Sequence, residues 1–420
     1  MDYQKRLIDD EIDEVISDLP AVAIEGAKGV GKTATASHHA SHMFSLDDSS
    51  TSSLLEGDPK LILRNQGTTL IDEWQRLPQL WDIVRRAVDD GAQPGRFLLT
   101  GSATPNPKVP IHSGAGRIVR LFMRPMSLPE RRFDTPSVSL ASLLAGGAEI
   151  DGQTARGTSD YVYEIMASGF PGIRKTGIKA QAHLLEGYVE MIIDREIPEL
   201  GEKVRRPASL LNWLTSYASA TATTASYSSL LNASTPGETE KPSKPTAITY
   251  RDLLQRMWIL DPLPAWIPIS GTLHRLGQSP KHHLVDPALA AHLAGVTHES
   301  LIQGEGPSRG HAVFLGALFE SLAVQTVRVL AQFLRAKVSH LRTQGGDHEI
   351  DLIVQRRDHK VLAIEIKLAS HVRPSDVAQL NWLQQKSPDL VIDKVLLNTG
   401  PLAYRRQDGV AVIPLALLGP

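Results

Sequence analysis

Residues 21–33, AVAIEGAKGVGKT, constrain the fold more than any other stretch of the chain. A short run that is apolar on consecutive positions reads as a strand covered on both faces. Glycines at 26, 29 and 31 then give a tight turn free of side chains, and a helix is expected from about Gly31. Gly26, four residues, then Gly31-Lys32-Thr33 fits a loop that turns its backbone N–H groups inward around phosphate oxygens. The positive end of the following helix favours the same anion. In this reading Gly26, Ala27, Lys28, Gly29, Val30 and Gly31 form the cradle. Lys32 reaches the β- and γ-phosphates, and the Thr33 hydroxyl holds Mg²⁺. The expected ligands are ATP and Mg²⁺. The competing reading is a glycine-rich turn that matches by chance.

The residues up to about 125 continue the alternation. Strands are expected at MFSLDD (43–48), TTLIDE (68–73), RFLLTGS (96–102) and RIVRLFM (117–123), with a helix in LPQLWDIVRRAVDDG ending at Gly91. Strands alternating with helices predict a parallel sheet wrapped in helices. Asp72 and Glu73 close the third strand, where Asp72 would hold Mg²⁺ and Glu73 would polarise an attacking water. Alone, such a pair is as readily a solvated strand end. Thr100 and Ser102 fall where the fourth strand would emerge beside the γ-phosphate, although Thr-Gly-Ser also makes an ordinary turn. Arg117, between glycines and the fifth strand, would serve as a finger on a neighbouring subunit's nucleotide, or else pair with a carboxylate.

A chain of 420 residues exceeds one compact core, so about two to four domains are expected. A formal charge of −2 gives no overall attraction to nucleic acid, so contact with DNA would need a local basic surface. The absence of cysteine excludes disulfides and thiolate metal sites and suits a reducing compartment. The N-terminus is acidic and amphipathic, unlike a signal peptide, and no run approaches the ~18 apolar residues of a membrane span. A cytoplasmic location without membrane contact is the expectation.

Four segments follow: a nucleotide-binding core at 1–133, a helical stretch at 134–205, a module at 206–275 and a C-terminal domain at 276–420. SLLNWLTSYASA, TASYSSLLN and AITYRDLLQRMWIL suggest three short helices of a helix-turn-helix or winged-helix module, interrupted by a polar insertion near 232–247. Lys203, Arg205, Arg206, Lys241 and Lys244 cluster around it, with Arg251 and Arg256 on its third helix. They suit phosphate contacts or plain solvation equally. His38 and His42 stand one helical turn apart with no third ligand nearby, and His282 and His283 open a strand; both pairs read as structural.

The hairpin EIDLIVQRRDHKVLAIEIKLA (349–369) carries charges among its apolar positions. A turn centred on Asp358 sets Asp351 opposite Glu365 and Glu349 opposite Lys367, on one face. Two carboxylates that close need a cation between them, and Mg²⁺ suits such oxygens. Lys367 would then orient a metal-bound water. Asp followed by Glu-x-Lys resembles the PD-(D/E)xK nucleases, and Glu320 on the preceding helix resembles the extra acid of the Holliday-junction resolvases. The implied metal ligands are Glu320, Asp351 and Glu365, and the implied chemistry is phosphodiester hydrolysis. The alternative is a Glu349–Lys367 ion pair with Asp351 and Glu365 merely wetted.

Together the phosphate loop, LIDEW, LLTGSATP, GAGRI and RPMSLPE resemble the prokaryotic AAA-type ATPases fused to a C-terminal domain of undefined role. SGFPG, YVEMIIDREIPEL and the hairpin extend the resemblance over nearly the whole chain. It implies an α/β P-loop core of strand order 5-1-4-3-2, a helical, winged-helix-like middle and a restriction-endonuclease-like C-terminal α/β domain. Three functions are open: an ATPase that controls a nuclease-like domain on nucleic acid, a signalling or defence switch in which ATP controls self-assembly or partner binding and the C-terminal domain is catalytically inert, or a transcription regulator that uses ATP as an effector.

Overall fold

The computed structural model describes residues 3–104, 112–201, 204, 206–234, 243–268, 277, 279–303 and 309–420. Five strands form the first sheet: β1 Ala21–Glu25, β2 His42–Ser45, β3 Thr69–Asp72, β4 Phe97–Gly101 and β5 Val119–Phe122. All are parallel, in the order β2-β3-β4-β1-β5, as the resemblance implied. The reason for the uninterrupted apolar runs is visible in the alternation of burial. Val22, Ile24, Leu70 and Leu98 pack into a core on one face, whereas Ala23, Ile71, Phe97 and Leu99 pack against Trp74 and Trp81 on the other. The central strands β1, β3 and β4 each feed two cores, so both sets of alternate positions are mainly apolar.

The strand β6 (Val138–Ser139) and the helices Leu140–Ala145, Thr158–Met166 and Ile178–Met191 follow. The last helix passes into a π-helical turn, Ile192–Glu196. The helices Pro207–Ser219, Tyr227–Ala233 and Lys244–Arg256 match the three expected in the middle module. Two extended arms come next, bridged antiparallel at Leu260↔Leu284 and Leu263↔Lys281.

Helix Arg309–Phe333 leads into a six-stranded mixed sheet of β7 Lys337–Arg342, β8 Glu349–Gln355, β9 Val361–Ile366, β10 Val391–Asn398, β11 Tyr404–Arg405 and β12 Ala411–Pro414. Its order is β11-β12-β10-β9-β8-β7. By length and composition that helix could cross a membrane, but 61% of the apolar window is buried inside the protein. Leu318, Phe319, Leu322, Val327 and Leu330 form core there. The chain ends in β13 (Leu418–Gly419), which pairs with β6 in parallel. The backbone N–H of Ala416 also donates to the Tyr161 hydroxyl at 2.9 Å. Residues 138–161 are thus stitched to the C-terminal domain across more than two hundred residues of sequence.

Candidate functional site

β1 delivers the phosphate loop at the carboxyl end of the sheet. Gly26 has φ +156°, and a side chain there would collide with the carbonyl oxygen of Met123. Gly29 and Gly31 have φ +83° and +106°, so the loop path needs glycine at both. Gly31 stands just before the helix Lys32–His38. The Lys32 ammonium is buried and donates to the carbonyls of Gly26 (2.8 Å) and Ala27 (3.0 Å), which ties the loop to its own helix. Burial lowers its pKa to about 8, against the pull of Glu73 and Asp72.

The neighbouring strands bring in the acids. Asp72, at the end of β3, accepts from the Thr33 hydroxyl at 2.7 Å, from Thr100 on β4 and from Ser45 on β2 at 3.4 Å. Burial raises the pKa of its carboxyl. Glu73 follows in the left-handed region at φ +58°, which turns its side chain off the strand. Its carboxylate accepts from Ser102 at 2.7 Å and from Gln75, and its N–H donates to the Thr100 hydroxyl at 3.3 Å. Lys32, Thr33, Asp72, Glu73, Thr100 and Ser102 therefore meet at one end of the sheet.

Arg117 does not join them. It precedes β5, whereas the phosphate loop follows β1, and the two strands run parallel. The residue thus sits at the opposite end of the sheet, where its guanidinium pairs with Asp89 at 2.8 Å. Within its own chain Arg117 makes the carboxylate pair, the alternative to a finger on a neighbouring subunit's nucleotide.

Sequence reasoning missed the clamps around the loop. Arg6 is buried and donates to Val30 O (3.0 Å), Arg124 O (2.9 Å) and the Glu130 carboxylate (2.9 Å). Lys28 pairs with Glu196 from the π-helical turn, and the Tyr188 hydroxyl donates to Lys28 O at 3.0 Å. A single arginine before an acidic helix and a glutamate 168 residues from Lys28 carry no local signal.

The lowered Lys32 pKa has a measurable consequence. Anionic phosphate prefers the ammonium, so nucleotide affinity should fall as pH rises through about 8, where the free loop loses its proton. Above that pH, binding should take up a proton. Titration calorimetry in two buffers of different ionisation enthalpy measures it directly. Buffer-independent heats there would mean that the amine is already charged without ligand.

The C-terminal carboxylates gather too, but around a different cation. β8 and β9 pair in the expected register, Leu352↔Ile364 through Gln355↔Val361, symmetric about residue 358. Beyond Leu352 the Asp351 side chain instead accepts from the backbone N–H of Ile366 at 2.9 Å. The expected Glu349–Lys367 pair does not form: Lys367 donates to Glu365 at 3.0 Å, and Glu349 pairs with Lys281. The Lys281 ammonium, 1% exposed, lies 2.8 Å from Glu320, 3.0 Å from Glu349 and 3.0 Å from Asp351. It lies between Glu320 and Asp351, whereas Glu365, the other carboxylate expected to share the cation with Asp351, is paired with Lys367. Among the described residues no group of three or more His, Asp or Glu side chains is arranged to hold a metal ion. Glu320 and Asp351 pair with Lys281 and Glu365 with Lys367, so an ammonium partners each of the three expected ligands. Burial pushes Asp351 up, but Lys281 and Lys367 outweigh it and hold the carboxyl down at about 2. Burial and the neighbouring Asp351 push Glu365 well above the usual carboxylate range.

The remaining expectations resolve locally. His38 stacks on Tyr3, the His282 ring bonds Ala225 O at 2.7 Å, and His283 meets the Ser321 hydroxyl at 3.2 Å. Arg251 pairs with Asp252 at 2.7 Å and lies over the Tyr227 ring. Lys203, Arg205 and Lys241 lie outside the described residues.

Comparison with known proteins finds three family matches along the chain. An AAA domain family matches residues 18–131, and two domains of unknown function, DUF8612 and DUF4143, match 158–300 and 315–418. The uncharacterized proteins Mb2031c of Mycobacterium bovis and Rv2008c of Mycobacterium tuberculosis are each 26% identical over 304 residues. The aligned region is 71% of this chain and 58% of theirs, so the chain spans little more than half their length. The Walker-type ATPase PABY2304 of Pyrococcus abyssi is similar over 68% of this chain and 94% of its own, at 14% identity and a TM-score of 0.39. The AAA domain match, residues 18–131, spans the phosphate loop, the parallel sheet and the acids at the end of β3.

Proposed function

We propose that the chain binds Mg-ATP at residues 26–33 and hydrolyses it, and that the nucleotide state acts on a C-terminal domain used for binding rather than for metal-dependent cleavage. The observation that carries the first part is the convergence of Lys32, Thr33, Asp72, Glu73, Thr100 and Ser102 at one end of the parallel sheet. The donor set fits both ligands. A glycine loop ahead of a helix N-terminus and a buried ammonium suit a triphosphate, while the Thr33 hydroxyl and Asp72 carboxylate are the oxygens that would hold Mg²⁺. The bound metal would neutralise charge developing on the phosphates. Glu73 is set to take a proton from water, its carboxylate oriented by Ser102 and Gln75.

Glu73→Gln tests this assignment. It should leave nucleotide binding intact in calorimetry and lower phosphate release by about 10²–10⁴-fold, the usual contribution of a general base. Wild-type turnover in that variant would remove Glu73 from the chemistry.

Lys281 favours the second part, since a tethered ammonium already neutralises the acids that a nuclease would use for metal. A physical route links it to the loop. Phe170 and Pro171 lie against Gly29 and Gly31, and the adjacent Gly169 donates its N–H to Asp286 at 2.7 Å. Asp286 lies five residues beyond Lys281 on the same arm.

A further inference from the structure

A short segment of the helical stretch, residues 188–199, grips the nucleotide-binding core at three points. The Tyr188 hydroxyl donates to Lys28 O at 3.0 Å, the Glu196 carboxylate pairs with the Lys28 ammonium, and Glu199 pairs with Arg76 at 2.9 Å. Between these ties lies the π-helical turn Ile192–Glu196, in which the Ile197 N–H reaches back to Ile192 O. Pro198 accounts for the wide turn: it has no N–H to donate, and in an ordinary helix its ring would crowd the carbonyl of Asp194. Segment and core enclose a cavity of about 40 Å³ lined by Lys28, Glu73, Ser102, Tyr188 and Glu196 among others. It has room for about two or three waters.

We propose that Glu196 latches the ATPase site: it holds the Lys28 ammonium that the terminal phosphate of ATP would claim, so that ATP but not ADP releases the π-helical turn; this rests on the Mg-ATP reading above. Three features support it. The ammonium is in the right place, since Lys28 follows Gly26 by two residues and shares its cavity with Glu73 and Ser102, which in that reading face the reacting phosphate. The pair is also exchangeable. Lys28 is 32% exposed, so its bond to Glu196 is partly screened by water and yields to a more highly charged anion. A γ-phosphate is such an anion, whereas ADP lacks it and leaves the pair intact. Finally, Glu196 acts on the cradle itself: its carboxylate is among those that favour the charged form of Lys32. An incoming triphosphate meets the same carboxylate as repulsion, so nucleotide and latch oppose each other. Release has a low barrier at the remaining tie, because Arg76 has a second partner in Asp47 at 3.0 Å. A π-helical turn that closes into an α-helix rotates the residues beyond it by about 100°, which carries Glu196 off the loop.

Titration calorimetry with Mg²⁺ compares ADP with the β,γ-imido analogue of ATP, which keeps the terminal phosphate and resists hydrolysis. Glu196→Gln should bind the analogue about fivefold more tightly than wild type, and ADP within about twofold of it. Lys28→Met should weaken the analogue by about fivefold or more, and Glu196→Gln should give no gain in that background. Amide hydrogen exchange reads the release: residues 188–199 should exchange faster in wild type with the analogue than with ADP, and fast with either in Glu196→Gln. Unchanged binding of the analogue by Glu196→Gln, or weaker binding of both ligands, would leave the pair merely structural and overturn the latch. So would a gain that survives Lys28→Met, or wild-type exchange that ignores the terminal phosphate. Wild type that binds neither ligand would refute the Mg-ATP reading itself, and the latch with it.

Discussion

Lys32→Ala is expected to lower Mg-ATP turnover by about 10²–10³-fold, comparable to removal of one preorganised donor from a catalytic electrostatic site. The expectation follows from two roles of one ammonium. It holds the loop by donating to the carbonyls of Gly26 and Ala27, and it is the buried positive charge nearest the path that a triphosphate would take. Alanine removes both at once. Lys32→Arg should not rescue turnover, because a planar guanidinium cannot occupy the seat of a compact ammonium enclosed by loop carbonyls. Loss of stability is not expected to explain the defect. A buried ammonium with neutral carbonyl partners carries its own desolvation cost, so the alanine variant should melt close to wild type. Phosphate-release kinetics together with a thermal melt decide the matter. Full turnover in a folded Lys32→Ala protein would show that the loop does not perform the chemistry.

Much of this site was legible because its parts are local. An apolar strand, three glycines and a Lys-Thr pair specify the loop over thirteen residues, and the chain direction of a parallel sheet then brings the ends of β3 and β4 beside it. The same logic places Arg117, at the start of β5, at the end of the sheet away from its own chain's loop. The hairpin register was legible for a similar reason, since a short turn fixes which residues face each other. What could not be read were choices among distant partners. Arg6 finds Glu130 124 residues on, and Lys281 finds Asp351 70 residues on. Periodicity reports which face of an element is covered, but it does not name the charge that will lie opposite.

The largest stability effect is expected at that lysine. Lys281→Met keeps most of the apolar stem and removes only the charge, leaving Glu320, Glu349 and Asp351 around an uncompensated centre. Breaking a buried ion pair from one side costs about 3–5 kcal/mol, and urea denaturation of the variant should show a loss of that order. A second substitution, Glu320→Gln in the Lys281→Met background, should recover part of the loss, because it relieves repulsion rather than adding a defect. The two changes should therefore be non-additive by about 1–3 kcal/mol. A divalent-metal site makes the opposite demand on the same residues: Mn²⁺ should then raise the melting temperature of wild type, and Asp351→Asn should abolish the rise. With the Lys281 ammonium already between Glu320 and Asp351, we expect no such stabilisation. A saturable Mn²⁺ effect that depends on Asp351, or a Lys281→Met protein as stable as wild type, would mean that the lysine is a bystander and that the acids serve a metal after all.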